Sequence, residues 1–351
     1  MTFQPDYHHM LDVMANKRPS RLPFYEHKVD PLIMEQVLGE KFADLINGDE
    51  ADLTAFFEHY GRFYQQMTYD TISYEITLTR SLPGHGAIYG GMVGPIQTRD
   101  DFEKYPWDEI PALYWANAAP KFEALGQTMP PGMKALGGIG NGVFELSEDL
   151  VGFQQLAYMM VDDPELFTDL FRKIGDLLVN IWTTFLEKYG EHYAVCRFGD
   201  DLGFKTSTLV SPRTIRKHII PQYQRIISMI KDAGKPFLWH SCGKIFSVMD
   251  DAIALGINAK HSNEDTIAPY DEWITRYGDR IGMLGGIDVD LICRDDPQAV
   301  FELVVERGTK YRQMANGYAL GSGNSIPDYV PVDGYLAMIR AGQHIREAEI
   351  A

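Results

Sequence analysis

"SPRTIRKHIIPQYQRIISMIKDAGKPFLWHSCGK", residues 211–244, contains one complete helix signature followed by one apolar run. Ser211 is a good N-cap, Pro212 suits the first helical position, and Gly234 with Pro236 ends the segment. Ile215, Ile219, Tyr223, Ile226 and Ile230 recur every three or four residues and form one buried stripe. Pro221 inside that pattern predicts a kink or local strain. The run "PFLWHS" then reads as a buried strand that stops at His240 and Cys242.

The same grammar recurs outward from this unit. "DDPELFTDLFRKIGDLLVNIWTTFLEKYG" (162–190) and "DDPQAVFELVVERGTKY" (295–311) begin with acids and a proline and continue with helical periodicity. Apolar runs suited to strands lie at 22–27, 69–76, 134–140, 193–201, 236–241, 257–261, 281–288 and 318–323, eight in all. Strands alternating with helices imply βαβ units and a parallel sheet. Eight of them predict an α/β fold of the (β/α)8 TIM-barrel type, formed as one domain over residues 1–351, with an N-terminal helical extension over 1–20. An open doubly wound sheet is the alternative. "GGIGNG" (137–142) lacks the G-x-G-x-x-G spacing of a dinucleotide fold.

Composition bounds the function. The chain of 351 residues is 45% hydrophobic and 23% charged, as expected of a protein with a full core. A net charge of −17 argues against nucleic acid or an anionic membrane surface as partner. Three scattered cysteines, no apolar leader and no run long enough to span a bilayer lead to the expectation of a soluble cytoplasmic protein. Cys196 reads as core, and Cys293 has no assigned role.

In a barrel, residues just past the strands converge on one mouth. Those positions carry Glu26 and His27, Glu75, Asn141 with Glu145 beyond it, and Asp200 and Asp201. They continue with His240 and Cys242, His261 and Glu264, Asp288, and finally Ser322 and Asn324. His240 and Cys242 stand two apart at a strand end and can point the same way. An imidazole with a thiolate suits zinc, though two ligands alone do not make a site.

The stretches "GDDLGFKTSTLVSPRTIRKHIIPQYQRIISMIKDAGKPFLWHSCGKIFSVMDDAIALGINA" (199–259), "YGDRIGMLGGIDVDLI" (277–292) and "LGSGNSIPDYVPVDGYLAMIRA" (320–341) resemble the uroporphyrinogen decarboxylase superfamily. The resemblance implies a (β/α)8 barrel. It covers most of 130–347 well and 18–110 more loosely. Where decarboxylases carry M-R-Q-A-G-R, this chain reads "LPFYEHKVD" (22–30), without arginine, and their G-H-G is Gly321-Ser322-Gly323. The zinc methyltransferases of the superfamily, which serve corrinoid proteins or coenzyme M, are similar through the His-x-Cys pair, His240 and Cys242. Their later G-C-G cysteine is replaced by Ser322.

The resemblance therefore implies a corrinoid-dependent methyltransferase with zinc on His240, Cys242 and a carboxylate. Glu145 is the expected third ligand, with Asp200 and Asp201 as the other candidates. An oxygen ligand makes zinc more Lewis-acidic, which fits O-demethylation of a small methyl donor such as a methoxylated aromatic. Asp200 and Asp201 are the expected acid/base or substrate-orienting groups. His27, Tyr74, Asn141, His261, Asp288, Ser322 and Asn324 are expected to line the substrate pocket. The chain has no D-x-H-x-x-G motif, so the corrinoid is expected on a separate protein. A homo-oligomer is compatible with the sequence. The competing readings are a carboxy-lyase with Asp200 or Asp201 as proton donor, and a non-enzymatic tetrapyrrole- or partner-binding protein.

Overall fold

A computed structural model describes residues 3–90, 92–294 and 296–350, with residue 350 described by its backbone alone. Within them, β1 (Ile72–Ile76), β2 (Ala135–Ile139), β3 (Tyr193–Gly199), β4 (Phe237–His240), β5 (Ala259–His261), β6 (Gly282–Ile287) and β7 (Tyr318–Ser322) form one parallel sheet. The strands lie in strict chain order, with no reversal of direction in the order. That excludes the doubly wound alternative, whose sheet grows outward both ways from its first strand.

Helices complete the crossovers. α1 (His8–Met14), α2 (Glu50–Gln66) and α3 (Ile110–Gln127) precede β2, with α2 lying before β1. α4 (Val143–Val151) and α5 (Pro164–Tyr189) join β2 to β3, and α6 (Ile220–Asp232) joins β3 to β4. α7 (Met249–Leu255), α8 (Tyr270–Tyr277), α9 (Pro297–Met314) and α10 (Val332–Ile350) follow. The cap read at Ser211 forms, its Oγ accepting from Thr214 N, and acids at two other helix starts cap likewise, Asp163 accepting from Leu166 N and Asp296 from Gln298 N. Pro221 lacks the N–H that would continue an α-helical ladder. Ile215–Ile219 accordingly winds as a π turn just before α6.

The eighth expected strand is corrected. Residues 22–27 make only an isolated parallel bridge, Phe24 to Leu320, with Tyr25 N donating to Leu320 O at 2.9 Å. A β-carbon at Gly321 would collide with the Tyr25 carbonyl, so glycine is what lets this segment press onto β7. Toward β1 the contact is a side-chain one, Ser73 Oγ donating to His27 O at 2.6 Å. The sheet therefore curls, with this segment bridged to β7 and meeting β1 only through the Ser73 side chain, so no backbone ladder closes the β1 side.

The expected N-terminal segment 1–20 holds one helix, α1, which docks on the barrel through its buried face. Met10, Val13 and Met14 are buried in one cluster with Leu136, Val195, Leu238, Ala259, Leu284 and Ala319, one or more from each of β2 to β7. Each methionine, valine and leucine among them contributes roughly 1.5–3 kcal/mol through burial. Alternation then sets the mouth: Leu238 faces the interior, so His240 does too, while Phe237 and Trp239 pack in the outer, helix-facing core. No helix among the described residues is long and apolar enough to cross a membrane.

Candidate functional site

His240 and His261 are register partners on β4 and β5, so their rings meet on the inner face. His261 Nε2 lies 3.0 Å from the Ser322 carbonyl oxygen and must donate to it, because a carbonyl only accepts. His261 Nδ1 is then an acceptor. It lies 2.8 Å from His240 Nδ1, which must be the donor. His240 Nε2 keeps its lone pair, 3.5 Å from Cys242 Sγ and 4.0 Å from Asp201 Oδ1. Asp201, His240 and Cys242 thus converge with ligand-type atoms within 4.8 Å of one another.

The thiol end is equally organised. Cys242 N donates to Asp201 Oδ1 at 2.8 Å. Ser262 Oγ and Asn324 Nδ2 reach Cys242 Sγ at 3.3 and 3.6 Å. Ser262 has a φ of 93°, a costly conformation for a residue other than glycine, directly after β5. Two such donors would stabilise a thiolate. Buried Lys260 adds a cation near Cys242 and Asp201. Its Nζ donates to Ser262 O and sits 4.0 Å from the centre of the Trp273 ring.

His27, His240 and His261 also lie together, with His27 stacked on His240 at 3.8 Å between ring centres. Arg197 Nη1 donates to Tyr25 Oη at 2.7 Å, leaving that hydroxyl to donate to His27 Nδ1 at 3.5 Å. His27 Nε2 faces Glu75 Oε1 at 3.4 Å. Of the three rings, only His240 presents an uncommitted lone pair, so this trio is a hydrogen-bonded stack.

The remaining expected residues divide. Asp200 is fully buried, but its carboxylate caps α4: Oδ1 accepts from Glu145 N at 2.8 Å, and Oδ2 accepts from Phe144 N at 3.0 Å and from Tyr223 Oη. A β-carbon at Gly142 would strike this carboxylate. Glu145, the expected third ligand, stands outside the His–Cys–Asp group. Asn141 Nδ2 donates to its Oε2 at 2.9 Å, while Asn141 Oδ1 accepts from Thr79 N and Oγ1. A β-carbon at Gly199 would lie 3.5 Å from His240 Cδ2 and 4.0 Å from Glu145 Oε1, so Glu145 faces the His240 ring across that glycine.

Ser322 Oγ and N both engage Glu26, so Ser322 acts through its carbonyl on His261. Asp288 caps the backbone of Asp265 and Asp290. Tyr74 lies opposite Ser73 and Glu75 in the alternation of β1; it packs edge-on to Phe57 at 5.0 Å and also lines a cavity with His27, Phe56 and Tyr60.

Sequence reading missed Arg197, which is completely buried on β3 and bonded to Glu75 at 2.7 and 2.9 Å and to Ser73 Oγ at 2.8 Å. Alternation with Val195 was the available signal. The mouth is therefore less acidic than its strand ends alone suggest.

Burial dominates the electrostatics. It holds His27, His240 and His261 well below the ordinary histidine range, with mutual repulsion and Arg197 adding to it. Burial, then Asp201 and Asp200, pushes Glu145 well above the carboxylate range. Burial pushes Glu26 up to about 8 and Asp200 up to about 7, and brings Lys260 down to about 7. It also raises Cys242 well above the ordinary thiol range. Cys196 is a fully buried core residue.

Residues 91–345 match the family described as Uroporphyrinogen decarboxylase (URO-D). Among solved structures, a methyltransferase from Methanosarcina mazei is similar with a TM-score of 0.69 over 96% of this chain and 97% of that one, at 12% identity. At that identity the likeness concerns the fold. No curated relative matches the sequence.

Proposed function

The chain belongs to the uroporphyrinogen decarboxylase family, and on that premise we propose that it is a zinc methyltransferase moving a methyl group from a small methylated donor to a corrinoid on a separate protein. The observation supporting this reading is the chain from Ser322 O through His261 to His240, which aims the His240 Nε2 lone pair at Cys242 Sγ and Asp201 Oδ1. One nitrogen, one sulfur and one oxygen donor fit zinc with a fourth position for substrate. The orienting hydrogen bond on the other ring nitrogen is the usual support of a metal-bound histidine.

His240, Cys242 and Asp201 would hold the metal, which when bound would polarise the donor's leaving heteroatom as a Lewis acid. The donors from Ser262 and Asn324 withdraw electron density from Cys242 Sγ, favouring Lewis acidity over thiol activation. Glu145, whose carboxyl burial raises well above the carboxylate range, would supply a proton from Oε1 to the leaving oxygen as its bond to the methyl carbon breaks. Asp200 acts on Glu145 by fixing the start of α4. His27 lines the donor's approach.

The carboxy-lyase reading requires a mobile proton on Asp200 or Asp201. Asp200 already accepts two backbone amides and a tyrosine hydroxyl, which disfavours it as the donor. The test is metal analysis of purified wild type and Cys242→Ala, together with methyl transfer from methoxylated aromatics to an added corrinoid protein. One zinc per wild-type chain and none in the variant is expected. A metal-free wild type that still transfers methyl, or that releases carbon dioxide without corrinoid, overturns the reading.

A further inference from the structure

At the edge of β1 that faces away from β2, a cavity of about 420 Å³ opens, reaching His27, whose ring stacks on His240. Its inner end is formed by His27 and Glu75, and Phe56 and Tyr60 from α2 give it aromatic walls. Three cations, Lys28, Arg80 and Lys121, line the same cavity from three separate segments. This convergence stands out in a chain of net charge −17.

None of the three forms an ion pair among the described residues; Lys121 Nζ donates to the neutral Asn117 amide. Glu75, the carboxylate lining the cavity, is already neutralised by Arg197 at 2.7 and 2.9 Å. Lys121 is pushed below the ordinary lysine range by burial and then by Arg80, a repulsion that a bound anion would relieve. Arg80 is set in place from the site itself, because Asn141 Oδ1 accepts from both N and Oγ1 of the adjoining Thr79.

We infer that this cavity is an anion subsite, and that the methyl donor is a small aromatic carboxylate. Its carboxylate lies among Lys28, Arg80 and Lys121, and its ring lies along Phe56 and Tyr60. Its methylated end points past His27, whose ring stacks on His240. The identification of this ligand as the methyl donor rests on the function proposed above, whereas the anion subsite stands on the cavity alone. A cavity of this size suits a one-ring ligand. Each cation–carboxylate contact at such a partly open site is worth a few-fold in affinity.

The experiment compares calorimetric binding of 4-methoxybenzoate and its uncharged isostere 4-methoxybenzamide, on metal-free and zinc-loaded protein. The acid is expected to bind about tenfold more tightly than the amide, with the preference weakening as salt rises. Arg80→Gln and Lys121→Gln should each cut that preference about threefold, and Lys205→Gln, at a different cavity, should leave it unchanged. Equal affinities overturn the inference, as do a preference that survives both variants and the absence of saturable acid binding up to ~10 mM. Because the readout is binding, with or without metal, loss of the methyltransferase reading would appear separately, as absent zinc or absent turnover.

Discussion

His240 Nδ1 and His261 Nδ1 lie 2.8 Å apart, and only one of them carries the proton. The Ser322 carbonyl decides which, by taking the proton on His261 Nε2. A main-chain oxygen on β7 thus sets the tautomer of a ring on β4, and with it the direction of the lone pair that faces Cys242.

His261→Phe removes the acceptor that holds the His240 proton on Nδ1. Zinc affinity should fall about 10- to 100-fold, read by chelator competition, while circular dichroism stays that of the wild type. Unchanged affinity in a folded variant would show that the relay does not orient the ligand.

Asp201 and Glu145 compete for the position of third ligand, and paired substitutions separate them. Asp201→Asn should weaken zinc by at least about tenfold. Glu145→Gln should retain the metal and lower kcat by about 100-fold or more, as removal of a general acid does. The opposite pattern would return the ligand role to Glu145.

Asp200 is assigned a structural task, and unfolding tests it. Asp200→Ala leaves the amides of Phe144 and Glu145 and the hydroxyl of Tyr223 without their partner. The cost should be about 2–4 kcal/mol in urea unfolding. Tyr223→Phe, which loses one bond, should cost about 1 kcal/mol. A fully stable but inactive Asp200→Ala would mark it instead as a chemical participant.

Glu26 gives the protein a pH dependence. Its carboxyl is raised from 4.5 to about 8 by burial, so between those values the folded state keeps a proton that the unfolded state has released. Stability should therefore fall as pH rises through that window, by up to a few kcal/mol, and level off above it. Glu26→Gln, which mimics the protonated form toward Ser322, should make the pH 5–8 profile of Tm less steep, the remaining slope coming from Asp200 and Glu145, which burial also raises. A variant that keeps the wild-type slope would place the titration elsewhere.

Much of the fold was legible because its signals are local. The cap at Ser211, the acid-and-proline helix starts and the apolar runs at β1 to β7 need only near neighbours in the chain. The 22–27 run was the exception. It has strand composition, yet on the β1 side only the Ser73 hydroxyl meets it, and no local pattern reports a missing partner. α1 carries its apolar residues in a short stretch whose burial depends on distant strands.

The site was legible as a roster and not as an arrangement. His240, Cys242, Asp201, His261 and Ser322 were all named from strand ends, since alternation and barrel topology send those positions to one mouth. Their roles depended on register and distance: His240 beside His261, the Ser322 carbonyl within reach of Nε2, and Asp201 rather than Glu145 beside the thiol. Arg197 escaped because attention rested on the last residue of each strand rather than on the inward position two before it.

By itself, the sequence determined the parallel α/β pattern, the order of its elements and the group of residues able to meet at the mouth. These follow from periodicity and capping, which act over a few residues. Only the tertiary structure decided which of them touch, which tautomer His240 adopts, that α1 buries one face against the inner strand residues, and that a cation-lined cavity opens beside β1. Hydrogen bonds and burial between residues up to 296 positions apart settle those questions, as between Glu26 and Ser322, and no local pattern encodes such a distance.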